Sequence, residues 1–425
     1  MKQLRVLRKG MRGSDVAEVQ SILKLIGYNI SSVDGIFGEN TEQAVKAFQR
    51  NNGLSADGII GPRTYERLEP FLLGYALYKI KPGDTLYKIA NQYSTNVYSI
   101  TTANPGINPF FLNVGEEIIV PFGIDVVQTD IPYTYDVMEK DIQGLVMRYP
   151  FLVVDTIGKS VEGRNLYMIK LGEGPREVFY NGSHHSNEWI TTPVLMKWIE
   201  QFSKAFAMDG IIRGYPARTI WEQATIYIVP MVNPDGVELV INGISPDHPR
   251  YNEIIQWNDG STNFDRWKAN IRGVDLNRNY DASWDEFKEM EESLGVDGPG
   301  PYLYGGPSPE SEPESKAVAD FTREHDFRLV LAYHTQGEVI FWNYRNLQPP
   351  EALKIGEMLA AVSGYTLAEP VGAALYAGYK DWFIKEYRRP GYTIEVGRGE
   401  NPLPISQFEE IYENNEELLL LAALV

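Results

Sequence analysis

Arg176-Glu177-Val178-Phe179-Tyr180-Asn181 runs directly into Gly182-Ser183-His184-His185-Ser186-Asn187-Glu188-Trp189, and this passage decides how the long C-terminal part of the chain reads. The short apolar run predicts a strand over 176–181. The polar stretch after it leads into a helix expected over 192–207, so two histidines and a glutamate fall where a strand hands over to a helix. Working outward, apolar strand-like runs recur over 225–232, 328–333 and 391–396, with another helix expected over 313–324. These runs are continuously apolar rather than alternating. That pattern implies an α/β domain built around a buried sheet. In such domains ligands collect at the carboxyl ends of the strands.

Three of those strand ends carry chemistry. His185 and Glu188 follow the first, His334-Thr335-Gln336-Gly337 follows 328–333, and Glu395 sits inside 391–396. The chain has five histidines and no cysteine, so a metal must be held by nitrogen and oxygen. Two histidines and one glutamate form a known catalytic zinc set that leaves a fourth position open. His184 competes with His185, but only His185 has a glutamate three positions on with Trp189 following. His334 supplies the distant third ligand. Glu395 lies between apolar Ile394 and Val396, and a carboxylate in that setting suits a general base that moves a proton from the attacking water to the leaving amine.

The passages 182–189, Gly273-Val274-Asp275-Leu276-Asn277-Arg278-Asn279, His334 and Tyr392-Thr393-Ile394-Glu395 resemble, in order and spacing across 130–425, the signatures of the metallocarboxypeptidases of the carboxypeptidase A type. The resemblance implies a carboxypeptidase-like fold, a mixed central sheet with helices on both faces. It also implies one zinc ion on His185, Glu188 and His334, with Glu395 as the base. Asn277 and Arg278 then hold the free carboxylate of the leaving residue, a role suited to the guanidinium fork. Arg272 is the candidate for steadying the oxyanion, with Lys268 as the alternative position. Tyr376 is the candidate for closing over the substrate, with Tyr379 as competitor. Lys380, just before Asp381-Trp382, falls in the pocket for the leaving side chain and would favour one ending in a carboxylate, such as that of meso-diaminopimelate.

The front of the chain repeats itself: Asp34-Gly35-Ile36-Phe37-Gly38 runs on to Thr41, and Asp57-Gly58-Ile59-Ile60-Gly61 runs on to Thr64. Each copy reads as a glycine-held turn feeding a helix, with the threonine near the cap. With Val19-Gln20 and Phe48-Gln49-Arg50, residues 1–73 resemble a bacterial peptidoglycan-binding helical domain. Residues 75–123 read as strand, two helices and strand around Pro82-Gly83-Asp84-Thr85-Leu86, and resemble a LysM domain, which binds N-acetylglucosamine polymers. The third region spans 130–425. Two wall-binding modules, Lys380 and the run 333–338 point to the branch of γ-D-glutamyl-(L)-meso-diaminopimelate peptidases, with peptidoglycan glycan chains and stem peptides as partners. A general carboxypeptidase on proteins and a non-catalytic wall-binding protein are the alternatives.

A net charge of −18 and a pI near 4.8 argue against nucleic acid or an anionic membrane as partner. No stretch reaches the roughly 18–20 apolar residues of a membrane helix, and the basic opening residues lack a secretory apolar run. The expected location is therefore the wall, the spore or the cytoplasm, with no signal peptide visible.

Overall fold

The computed structural model describes residues 5–425, which divide after Leu152 into two compact units. In the first unit, β1 (Tyr75–Lys79) and β2 (Glu117–Pro121) pair antiparallel. The second holds β3 (Val153–Lys159), β4 (Asn165–Leu171), β5 (Arg176–Gly182), a small hairpin of β6 (Ile211–Ile212) and β7 (Tyr215–Pro216), β8 (Ala224–Val229), β9 (Leu329–Thr335), β10 (Val339–Phe341), β11 (Thr366–Ala368) and β12 (Gly391–Val396). Eight of these form one sheet in the order β11-β10-β12-β9-β5-β8-β4-β3. The centre, β8, β5, β9 and β12, is parallel; β4 joins β8 and β10 joins β12 antiparallel, so the sheet is mixed.

Every residue of β8 and β9 is buried, as continuous apolar runs require of strands covered on both faces. Successive residues of β5 show both covers. Phe179 packs on Phe321, Phe327 and Tyr379, the face of helices Pro313–Arg323 and Tyr379–Tyr387. Tyr180 turns the other way, onto Trp198 of helix Thr191–Ala207, and its hydroxyl donates to the Leu419 carbonyl of helix Phe408–Ala422 at 2.9 Å. Removing a ring as buried as Phe179 costs about 3–5 kcal/mol. The expected strand over 225–232 stops at Val229, because Pro230 has no N–H to extend a ladder. β9 runs two residues beyond the expected strand and takes His334 inside the sheet.

The chain leaves β5 toward β8 on one side, while β9 leads to β12 on the other. The crevice between β5 and β9 is thus the topological switch point, where ligands bind in such sheets. Register then sets the chemistry: Gly182 lies opposite Tyr333, and His334 lies opposite Glu395.

In the first unit the internal repeat has a structural cause. Gln20, from helix Ser14–Leu25, donates to Asp34 Oδ1, the Ile36 carbonyl and Thr41 Oγ1 at 2.9–3.0 Å, and accepts from the Gly35 N–H. Gln49, from helix Glu39–Asn51, repeats this on Asp57, Ile59, Thr64 and the Gly58 N–H. Gly35 and Gly58 have φ of 68° and 77°, which explains the glycine in each turn. Thr41 and Thr64 are not the caps; Gly38 and Gly61 take that place, and the threonines accept from the buried glutamines one turn in. In the next module Thr85 and Asn96 do cap their helices, accepting from the N–H of Lys88 and Ser99. Helix Tyr135–Arg148 also belongs to this unit: Lys140 Nζ donates to Glu18 Oε2 at 2.6 Å and Arg148 to the Ile124 carbonyl at 2.7 Å.

Candidate metal centre and active site

β5 ends in a tight turn at Ser183, whose φ of 53° is held by its N–H donating to Thr191 Oγ1 at 2.9 Å. The chain then forms a single 3-10 turn, Ser186–Glu188. That turn brings His185 and Glu188 to the mouth of β9. His185 Nδ1 lies 2.9 Å from Glu188 Oε1, His334 Nδ1 lies 2.9 Å from Glu188 Oε2, and the two Nδ1 atoms are 3.2 Å apart. Among the described residues these three form a buried group whose ligand atoms lie within 4.8 Å of one another.

The fit to a metal can be judged on spacing. Two ligands about 2.0–2.1 Å from a zinc ion at tetrahedral angles lie about 3.3 Å apart, close to the separations seen here. Two imidazole nitrogens facing each other beside a carboxylate also suit a shared cation better than they suit one another, since one must give up its lone pair to a proton. Asp275 Oδ1 lies 3.1 Å from His185 Nε2, the carboxylate partner that fixes the tautomer of a metal-binding histidine. His184 points elsewhere, with Nε2 2.9 Å from the Tyr280 hydroxyl and its pKa held well below the ordinary value by burial.

Burial opposes ionisation of Glu188, yet His185 and Lys268 keep its carboxyl well below the usual range. Burial would likewise keep His185 neutral, but Glu188 and Asp275 outweigh it and raise the pKa to about 8. His334 is held below its ordinary value by burial. Glu395 is pushed up to about 8, first by burial and then by the Glu188 charge, against the pull of Lys268, His185 and Arg278.

A cavity of about 110 Å³ opens on this group, and its walls include Lys268, Asn277, Arg278, Lys380, Asp381 and Glu395. Asn277 and Arg278 come from a second 3-10 turn, Leu276–Arg278, capped by Asp275. Arg278 donates to the Asn277 carbonyl at 2.6 Å, and Asn277 Oδ1 accepts from the Tyr379 N–H at 3.0 Å. Lys380 is buried; its Nζ donates to the Asn343 carbonyl at 2.7 Å and pairs with Asp381. Three of the positions expected at the site do not line the cavity: His334, which stays inside β9 against Glu188, Arg272 and Tyr376. Arg272 turns outward, half exposed, with its guanidinium 3.6 Å from Glu312, and Lys268 takes the wall instead, Nζ 3.0 Å from Glu188 Oε1. Tyr376 lies outside the cavity under the Arg345 guanidinium, 5.8 Å from ring centre, while Tyr379 is buried with its hydroxyl 2.9 Å from Thr322 Oγ1. Sequence reasoning misses Asp275, although it stands inside the quoted 273–279 run; the signal for it is a carboxylate two residues before the Asn-Arg pair.

Comparison with known proteins follows the same division. Residues 138–418 match the zinc carboxypeptidase family model, 12–68 a putative peptidoglycan binding domain, and 78–121 a LysM domain. The chain is 44% identical over 387 residues, 79% of its length and 96% of the relative's, to gamma-D-glutamyl-L-diamino acid endopeptidase 1 of Lysinibacillus sphaericus. It is 27% identical over 285 residues to carboxypeptidase B of Astacus astacus, covering 62% of this chain and 86% of that one. Among solved structures, bovine thrombin-activatable fibrinolysis inhibitor in complex with tick carboxypeptidase inhibitor matches with a TM-score of 0.53 at 19% identity, over 69% of this chain and 96% of that one. That likeness speaks to the fold. A family match over most of the chain, on a sheet whose switch point gathers two histidines and a glutamate, makes this chain a member of the zinc carboxypeptidase family.

Proposed function

We propose that this protein is a zinc-dependent peptidase that hydrolyses the γ-D-glutamyl–meso-diaminopimelate bond of peptidoglycan stem peptides. The observation that carries the reading is a cavity whose walls join His185 and Glu188 of the metal-site group to a buried lysine, Lys380, in a chain that also bears two wall-binding modules. The relative from Lysinibacillus sphaericus, by its name an endopeptidase for γ-D-glutamyl-L-diamino acid links, supports the choice of bond.

Zinc held by His185, Glu188 and His334 would polarise the scissile carbonyl and acidify the attacking water. Glu395, on the strand beside His334, takes the proton and passes it to the leaving amine. Arg278, with Asn277, holds a carboxylate of the leaving residue bidentately. Lys268, rather than Arg272, faces the developing oxyanion. Replacing Lys268 by methionine is accordingly expected to lower kcat by about 10²–10³-fold, the cost of one oxyanion donor. Arg272→Met should stay within about threefold in steady-state kinetics; equal losses in both would return the role to Arg272. Tyr376 reaches the substrate in this reading only by swinging in from beneath Arg345.

Lys380 gives the pocket its preference. Its Nζ has three N–H groups, of which Asn343 and Asp381 engage two, leaving the third to meet the terminal carboxylate of diaminopimelate. Lys380→Ala is expected to raise KM for diaminopimelate stems about tenfold or more and to leave lysine-containing stems nearly unchanged, since a hydrogen bond between charged groups is worth about 1.5–3 kcal/mol. Equal shifts on both stems would remove Lys380 from the specificity argument.

The peptidoglycan-binding and LysM domains associate the protein with the cell wall, and no helix among the described residues is long and apolar enough to cross a membrane. Holding the polymer raises the effective concentration of stems around the site, so each module can bind weakly. The deciding experiment is mass spectrometry of the products from a defined stem peptide with added zinc. Release of diaminopimelate-containing fragments from γ-D-glutamate supports the proposal, whereas trimming of ordinary peptides with no stem cleavage would overturn it.

A further inference from the structure

The loop that follows β12 returns to the metal centre. Asn401 Nδ2 lies 3.3 Å from Glu188 Oε1 and 3.3 Å from the Thr335 carbonyl oxygen, and its Oδ1 accepts from Thr335 Oγ1 at 2.6 Å. Glu188 is fully enclosed, so each direction its oxygens present must meet a donor or a cation. Lys268 Nζ covers one side of Oε1, and the Thr335 N–H covers Oε2 at 3.2 Å. Asn401 supplies the remaining protein donor to Oε1.

The amide has two unlike ends, and its orientation decides whether it attracts or repels a carboxylate. The Thr335 carbonyl settles this, because it can only accept and so takes the NH2 end beside Glu188, and the Thr335 hydroxyl then anchors the oxygen end by donating to it. Thr335 is the residue after His334 on β9, and Asn401 lies six positions past Glu395. One hydrogen-bonded pair thus ties the strand bearing a metal-site histidine, the loop beyond the base and the carboxylate between them.

Resting on the reading of Glu188 as a zinc ligand, we infer that Asn401 is a positioning residue, whose amide, oriented by the Thr335 carbonyl and anchored by the Thr335 hydroxyl, holds the Glu188 carboxylate in its ligating pose. Hydrogen-bonded partners of metal ligands commonly contribute 10–100-fold in affinity.

The test uses the full chain and reads zinc dissociation constants by competition with a chromophoric chelator, alongside melting of the metal-free protein. Asn401→Ala is expected to weaken zinc binding about 10–100-fold. Asn401→Asp keeps the size but replaces the donor by a carboxylate facing Glu188, and should weaken it at least as much. Thr335→Val should give an intermediate loss, and the double variant Thr335→Val/Asn401→Ala should bind no more weakly, within about twofold, than Asn401→Ala alone. A mere packing role predicts the reverse: Asn401→Asp close to wild type, or losses that add in the double variant, and either result overturns the inference. Should His334→Ala keep full zinc affinity, the reading of the metal site itself would fail, a result distinguishable from failure of the Asn401 role alone.

Discussion

Glutamine at position 395 is expected to leave zinc stoichiometry and affinity near those of the native protein while lowering kcat on stem peptides by about 10²–10⁴-fold. The two halves of that expectation have separate causes. Glu395 is not among the three side chains whose ligand atoms converge, so the swap removes no ligand. An amide of the same shape still fills the wall of the cavity but cannot accept a proton near neutral pH. The metal-free protein offers a second readout. Glu395 has an ordinary pKa of 4.5 and is pushed up to about 8 in the folded chain, chiefly by burial. The folded state therefore holds a proton that the unfolded state has released, and between those pH values the group makes stability fall as pH rises. Melting of the metal-free Glu395→Gln variant should be flatter across this window, with the largest gain over the native chain near pH 8. More than a few per cent of native turnover in Glu395→Gln would remove Glu395 from the role of base.

Much of this site is legible in the sequence because its key residues sit at strand ends, and strand ends follow from apolar runs. His185, Glu188, His334 and Glu395 can be placed that way, and the Asn277-Arg278 pair by its own run. What cannot be read depends on side-chain direction over short, irregular backbone. Lys268 and Arg272 are four residues apart in a loop without regular structure, and nothing in their order says that one faces Glu188 and the other Glu312. Asn401 is invisible for the same reason: it follows a glycine-rich turn and acquires its partners only when that loop folds back. In the front half, the Asp-Gly-Ile repeats disclose the turns, but not that Gln20 and Gln49 clamp them from the preceding helices. The threonines read as near-cap residues and stand three positions past the capping glycines, but their order does not disclose that each hydroxyl accepts from a buried glutamine. Helix Tyr135–Arg148 shows the limit for domain boundaries, since its amphipathic pattern states that it packs and not against which unit.

Loss of His334 should abolish zinc binding and turnover together, and the reasons differ from those at Glu395. His334 lies inside β9, fully buried, with Nδ1 2.9 Å from Glu188 Oε2, so its ring is held by the sheet before any metal arrives. Alanine there leaves two protein ligands, one short of the three that catalytic zinc sites use. It also strips Glu188 of a partner in a buried setting, which costs more than the lost contact alone. His185→Ala should behave alike, since it too removes a ligand and leaves Asp275 facing an empty space. His184→Gln is the informative contrast. That ring stacks on His334 with centroids 5.8 Å apart but directs Nε2 to Tyr280, so the variant should keep one equivalent of zinc even if its stability falls. Thermal melts make the comparison quantitative: a ligand at 100 times its dissociation constant stabilises the fold by about 2.7 kcal/mol. Zinc should therefore raise the melting temperature of the native chain and of His184→Gln, and leave His334→Ala where it was. One equivalent of tightly bound zinc in His334→Ala would move the metal to other ligands and take the proposed role of Glu395 with it.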